Sequence, residues 1–202
     1  MKKKILCLAL LGAMGAAQAV MANDFDDRWY IDGSVGYNFQ DNHRNTDNTP
    51  FATIGVGKPL SPNWGIELNF NYQNAHEPDH SGGHWQQDGL AIDVLYHFII
   101  EGARWNPYVR AGLGWQHNEE DYLTVRGDIG SPLATHKSDN LAADFGLGLE
   151  AKYGRYGVRT EFGVRYDRDD NSVVDPRKNF FVDELLSVGV TVALGPEPMK
   201  AV

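Results

Sequence analysis

Cysteine is almost missing from this chain, cations are outnumbered, and only the first two dozen residues contain a long apolar run. The one cysteine, Cys7, leaves no basis for a disulfide framework or a thiolate metal centre. Lysine and arginine number 18 against 27 acidic residues, a net charge of -9, so the basic surface that a nucleic-acid partner requires is lacking. There is no low-complexity tract, no internal repeat larger than a hairpin and no sign of a second domain.

What is present begins at the first residues. Lys2, Lys3 and Lys4 form a basic start, Ile5 to Ala17 an apolar stretch, and Ala17, Ala19 and Ala22 supply the small residues of a cleavage site. This pattern predicts a signal peptide over residues 1–22, cut after Ala22 or Ala19. A membrane anchor needs roughly 18 or more apolar residues, and here Gln18 interrupts the run before Asn23, Asp24, Asp26 and Asp27. Cys7 leaves with the leader, and losing three lysines takes the charge from -9 to about -12.

From Trp29 onward the sequence alternates. Trp29, Ile31, Val35, Tyr37 and Phe39 share one face, against Tyr30, Asp32, Ser34 and Asn38 on the other, as successive residues of a strand do. The clearest case sets Leu141, Ala143, Phe145, Leu147, Leu149, Ala151 and Tyr153 against Asp144, Gly146, Gly148, Glu150 and Lys152. Eight such segments occur, the last setting Leu186, Val188, Val190, Val192 and Leu194 against Ser187, Gly189, Thr191 and Ala193. A soluble sandwich or lipocalin-like barrel also alternates, with the oily face inward.

Three features favour the opposite arrangement. The polar face carries glycines and opposite charges, a composition for a cramped lumen, and the apolar face ends repeatedly in aromatics, the girdle of a lipid boundary. Candidates for that girdle are Trp29, Trp64, Tyr72, Tyr96, Trp105, Trp115, Tyr153, Tyr156 and Tyr166. Connections also alternate: Gln40 to Pro50, Asn74 to His84, His117 to Asp139 and Arg168 to Phe180 are long, those near Pro62, Gly102 and Gly154 short. The expected fold is all-β, an eight-stranded antiparallel transmembrane β-barrel over residues 23–195. A tail over 196–202 follows, with both termini periplasmic.

The segments Trp29 to Phe39, Pro107 to Gly114 and Leu186 to Val192 carry a resemblance: the chain resembles the transmembrane domain of the OmpA family over nearly all of its length after the leader. The resemblance implies an outer-membrane barrel and marks Ser187, Gly189, Val192 and Leu194 as an assembly signal read by the barrel-assembly machinery. Full-length members continue through a proline-rich linker into a peptidoglycan-binding domain. Here only Pro196 to Val202 follow the last strand, so tethering does not carry over. The family's lumenal ion-pair switch uses a glutamate on the third strand, a lysine on the fourth, a glutamate on the sixth and an arginine on the seventh. Glu67, Glu150 and Arg159 match; the fourth strand offers Asp93 and His97 but no lysine, with Arg110 on the fifth as a substitute.

Depth counting places Glu67, Arg110, Glu150, Arg159 and Glu161 within one or two strand steps of each other, and with Asp93 they form a candidate lumenal network. It reads either as structural pairing, because an orphaned buried partner costs about 3–5 kcal/mol, or as an ion gate. His76, His80 and His84 recur every fourth residue, the spacing of a helical zinc site, but Pro78, Gly82 and Gly83 argue against a helix. His136, Ser138 and Glu150 resemble the triad of lipid A deacylase barrels, yet one strand from Asn140 to Tyr153 would hold Ser138 and Glu150 about 40 Å apart. Lys58, on the lipid face, is terminal enough to snorkel.

No catalytic, cofactor or metal residue is assigned. The expected function is structural: an envelope barrel presenting loops to extracellular ligands, its partners being outer-membrane lipids and lipopolysaccharide, with no nucleic acid. A small pore is the alternative, and an acyl hydrolase on lipid A a third class.

Overall fold

A computed structural model of the chain describes residues 25–44, 46–76, 84–123, 132–168 and 179–196. The expected leader, 1–22, and the tail beyond Pro196 lie outside the described residues. Eight strands are present: β1 (Tyr30–Phe39), β2 (Thr49–Pro59), β3 (Trp64–His76), β4 (His84–His97), β5 (Trp105–Leu123), β6 (Leu133–Tyr153), β7 (Tyr156–Arg168) and β8 (Phe181–Ala193). Each pairs antiparallel with the next, and β8 returns to β1, closing the barrel. Closure gives every strand two partners, so the barrel has no free edge around its girth.

The alternation is inverted relative to a soluble fold. Leu113 is 73% exposed and Leu141 71%, whereas Asp93, Gln87 and Asn118 on the other face are 0% exposed. Ile54, Val35, Leu147 and Phe145 also point outward. An exposed apolar surface on this scale is unstable in water and suited to hydrocarbon, while the polar residues fill the middle.

Two kinds of connection separate the barrel's ends. At the end where Trp29 enters and Ala193 leaves, strands turn within Leu60–Asn63, Phe98–Arg104 and Gly154–Arg155. Gly102 and Gly154 take φ values of 76° and 62° there, a region that side chains with a Cβ avoid. We call this the entry end. At the far end the connections span 9, 7, 9 and 12 residues against 4, 7 and 2 at the entry end, and the first folds inward as a single 3-10 turn, Asn42–Arg44.

The strands run further at the far end than the alternation predicts. The sequence pattern makes His117 to Asp139 a loop, yet β5 and β6 remain paired from Trp105↔Ala151 up to Leu123↔Leu133. Similarly β3 reaches His76, β4 starts at His84, β2 starts at Thr49 and β8 starts at Phe181. The physical reason is that both faces turn polar there: Glu119 pairs with Lys137 at 2.8 Å and His117 with Asp139 at 2.6 Å on the outside. The ladder of backbone hydrogen bonds continues after the hydrophobic period that advertised it has ended.

Candidate functional site: a filled lumen inside a lipid-facing belt

The outer belt is bounded by aromatics. Trp29, Trp64, Trp105, Tyr153 and Tyr156 are exposed near the entry end, with Tyr96 packed edge-on against Trp64 at 4.8 Å. Tyr72, Trp115 and Tyr166 are exposed towards the far end. Trp105 and Trp115 stand ten residues apart on β5. At roughly 3.3 Å per residue and a tilt of about 40°, that spans about 25 Å along the axis, the height of a membrane barrel's apolar band. Lys58 lies at the entry rim, where its Nζ donates to the Asp27 carbonyl at 3.1 Å and sits 5.6 Å from the Trp29 ring.

Inside, the residues singled out from the sequence come together. Arg159 on β7 donates from Nε to Glu150 Oε1 at 2.9 Å and from Nη1 to Glu67 Oε1. Glu67 also accepts from the Tyr30 hydroxyl at 2.5 Å, and Glu150 lies 3.0 Å from His97 Nε2. Arg110 takes the other acids, pairing with Glu161 at 2.7 Å and Asp93 at 3.5 Å. Asn69 links the halves, donating to Asp93 at 2.6 Å and to Glu67 at 3.3 Å. The expected substitute for a fourth-strand lysine thus pairs elsewhere: Arg110 serves Glu161 and Asp93, and Arg159 alone bridges Glu67 and Glu150. Register explains it, because Arg159 is the direct cross-strand partner of Glu150.

Large side chains fit because glycines face them. Tyr108 donates to Glu161 at 2.8 Å, and its ring lies over Gly148, where an added Cβ would collide with it. A third arginine, Arg165, pairs with Asp144 at 3.0 Å. With eight strands the interior is only wide enough for side chains to fill.

A second cluster, at the far end, goes beyond what the sequence pattern predicts. Arg44, from the inward-folded 3-10 turn, is 0% exposed and pairs with Asp167 at 2.9 Å and Asp183 at 3.2 Å. Its guanidinium lies 4.7 Å from the Trp85 ring and 4.4 Å from the Phe181 ring, which face the lumen. Burial alone would lower the guanidinium's pKa; Asp183 and Asp167 more than offset this and hold it above its ordinary value. Asp41 fastens the same turn, its backbone N donating to Asp183 and its carboxylate accepting from the Val182 backbone. Only the inward parity of Asp167 hints at this cluster in the sequence; Arg44 reads locally as an ordinary loop residue.

Residues 6–192 match the family model of the outer membrane protein beta-barrel domain. The chain belongs to that family. Its surroundings are therefore the lipids and lipopolysaccharide of an outer membrane. The fold is similar to Neisserial surface protein A, with a TM-score of 0.63 and 13% identity over 82% of this chain and 97% of that one. It is similar also to a major outer membrane protein from Thermus thermophilus, TM-score 0.55 and 14% identity over 82% and 99%. The outer membrane enzyme PagL matches with a TM-score of 0.46 and 15% identity over 82% and 99%. At these identities the likeness is one of fold. No curated protein matches the sequence.

Within this outer-membrane barrel the remaining candidates fall as follows. Ser187 and Gly189 face the lumen from β8, and Val192 and Leu194 face outward. His76 and His84 are cross-strand partners at the tips of β3 and β4, with His84 3.1 Å from Asp121; His80 lies outside the described residues. Among the described residues no group of three or more His, Cys, Asp or Glu side chains could hold a metal. His136, Ser138 and Glu150 all sit on the uninterrupted β6. Twelve residues at roughly 3.3 Å each separate Ser138 from Glu150 by about 40 Å, so these three do not form a triad.

Proposed function

We propose that this chain is a structural, non-enzymatic barrel of the outer membrane whose lumen is plugged and whose far-end hairpins are its working surface. The observation that carries this reading is the bridging of Glu67 and Glu150 by Arg159 across the lumen, three residues in from Trp64, Tyr153 and Tyr156 at the entry end. Arg44, closing the far mouth above it, adds to the same case. Three buried arginines, Arg44, Arg159 and Arg165, and the part-buried Arg110, all engaged with carboxylates, cost too much to strip apart for passage of a hydrated ion.

In this reading the entry end, with its short turns and both termini, faces the periplasm, and the longer connections face outside. The β5–β6 hairpin rises furthest, carrying the polar pairs Glu119–Lys137 and His117–Asp139, and offers extracellular ligands a charged, rigid surface. Ser187, Gly189, Val192 and Leu194 on the closing strand serve as the assembly signal for the barrel-assembly machinery, and the aromatic belts anchor the barrel at the two lipid boundaries.

Planar-bilayer recording of the purified protein tests the reading. A plugged barrel gives no steady current steps, and steady ohmic openings in the unaltered protein would favour the pore instead. Lipid A extracted after overexpression should be unchanged; loss of an acyl chain would favour the hydrolase.

A further inference from the structure

Between the two plugs lies a cavity of about 60 Å³, enough for an ion with a few waters, since one water needs about 10–15 Å³. Five carboxylates and three guanidiniums line it. Arg159 claims Glu67, Arg110 claims Glu161 at 2.7 Å and Arg165 claims Asp144 at 3.0 Å. Arg110 also reaches Asp93 at 3.5 Å, which leaves Asp32 as the one carboxylate of the five with no guanidinium; Asp32 and Asp93 each keep one buried oxygen, Oδ1, without a hydrogen-bond partner.

The amide of Asn69 sharpens the point. Asn69 is 5% exposed, and its Nδ2 is fixed by donation to Asp93 at 2.6 Å and Glu67 at 3.3 Å. Its Oδ1 must therefore point the other way, and it too has no partner. It points over Gly55, which stands between Asp32 and Asn69 in one row across β1, β2 and β3. A Cβ built on Gly55 would run into both Asn69 Oδ1 and Asp32 Oδ1. Two acceptors thus converge on one cradle, neither able to donate to the other, in a lumen with surplus negative charge. Burying such groups without compensation is costly.

We propose that this cradle binds one small monovalent cation of the sodium or potassium class, held by Asp32 Oδ1 and Asn69 Oδ1 beside Gly55. One carboxylate and one neutral amide oxygen suit a single positive charge; a calcium ion gathers six to eight oxygens and usually more carboxylates. The ion is a resident of the lumen, offsetting the charge of Asp32, and needs no conducting path.

The test uses the folded barrel in detergent. Its unfolding temperature is measured in sodium chloride and in N-methyl-D-glucamine chloride at equal ionic strength. Sodium should raise it, increasingly with concentration, as a ligand of the folded state does. In Asp32→Asn the new amide can donate to Asn69 Oδ1, so the difference between the two salts should vanish. Crystals soaked in thallium(I), an anomalous stand-in for potassium, should show a peak between Asp32 and Asn69 beside Gly55. Equal unfolding in both salts, a sodium effect that survives in Asp32→Asn, or no thallium peak at the cradle would overturn the proposal, a water or a proton then bridging the two oxygens. Should Asp32→Asn not fold, the unaltered barrel's salt comparison and the thallium peak decide.

Discussion

Replacing Arg159 with methionine removes one guanidinium and strands two carboxylates, and the surroundings make their fates unequal. Glu67 and Glu150 are each 3% exposed. Without Arg159, Glu150 still has the His97 ring at 3.0 Å and the Lys152 ammonium at 3.7 Å, so a cation stays within reach of it. Glu67 retains only neutral donors, the Tyr30 hydroxyl at 2.5 Å and the Asn69 amide at 3.3 Å. Leaving a buried charge uncompensated costs about 3–5 kcal/mol, and most of that cost should belong to Glu67. Arg159→Met should therefore destabilise the barrel by about 3–5 kcal/mol. Adding Glu67→Gln should recover most of the loss, and adding Glu150→Gln distinctly less. Urea titration in lipid vesicles, with folded and unfolded species separated by unheated gel electrophoresis, reads all three differences. A loss below about 1 kcal/mol for Arg159→Met, the range of an exposed pair, would refute the reasoning. Equal rescue by the two glutamines would refute its assignment to Glu67.

Other positions extend the test. Leu147, outward and midway along the belt, should cost about 2–4 kcal/mol as Leu147→Arg, whereas Asp88→Arg, outward near the far boundary, should cost about 0–1 kcal/mol; the same titration compares them. Arg44→Met should lower stability by about 3 kcal/mol while far-ultraviolet circular dichroism stays unchanged, because the strands close without the 3-10 turn; lost β signal would contradict that. Gly148→Ala places a methyl against the Tyr108 ring and should cost about 1–3 kcal/mol through overpacking. In Tyr108→Ala the cost should fall without vanishing, because the same methyl also meets the Thr160 carbonyl oxygen at 2.6 Å, and a cost of equal size there would remove the tyrosine from the explanation.

The barrel was legible because hydrocarbon enforces alternation: Leu141 to Tyr153 reads as a strand on its own, and its inverted exposure follows from glycines and charges sharing the other face. The members of the entry-side lumenal network were legible for the same reason, since parity and depth put Glu67, Glu150 and Arg159 on one level. Who pairs with whom was not. That depends on register between strands far apart in sequence, as with Arg110 turning to Glu161 and Asp93. Above the belt the code disappears, because stretches such as His117–Asp121 are wetted on one face and pack polar residues on the other. Arg44 was hidden most completely. Its partners Asp167, Asp183, Trp85 and Phe181 come from three other strands, and nothing near Arg44 in sequence announces burial.

Oxygen and water-soluble nickel collision rates at single nitroxide labels along β6, in reconstituted vesicles, address the inversion on which all of this depends. Labels at 141, 143, 145, 147 and 149 should collide freely with oxygen and hardly with nickel, while labels at 142 and 144 should be protected from oxygen. A β6 without this two-residue period, or with its sign reversed, would mean that the oily face does not meet lipid and that the lumen is not the polar interior described.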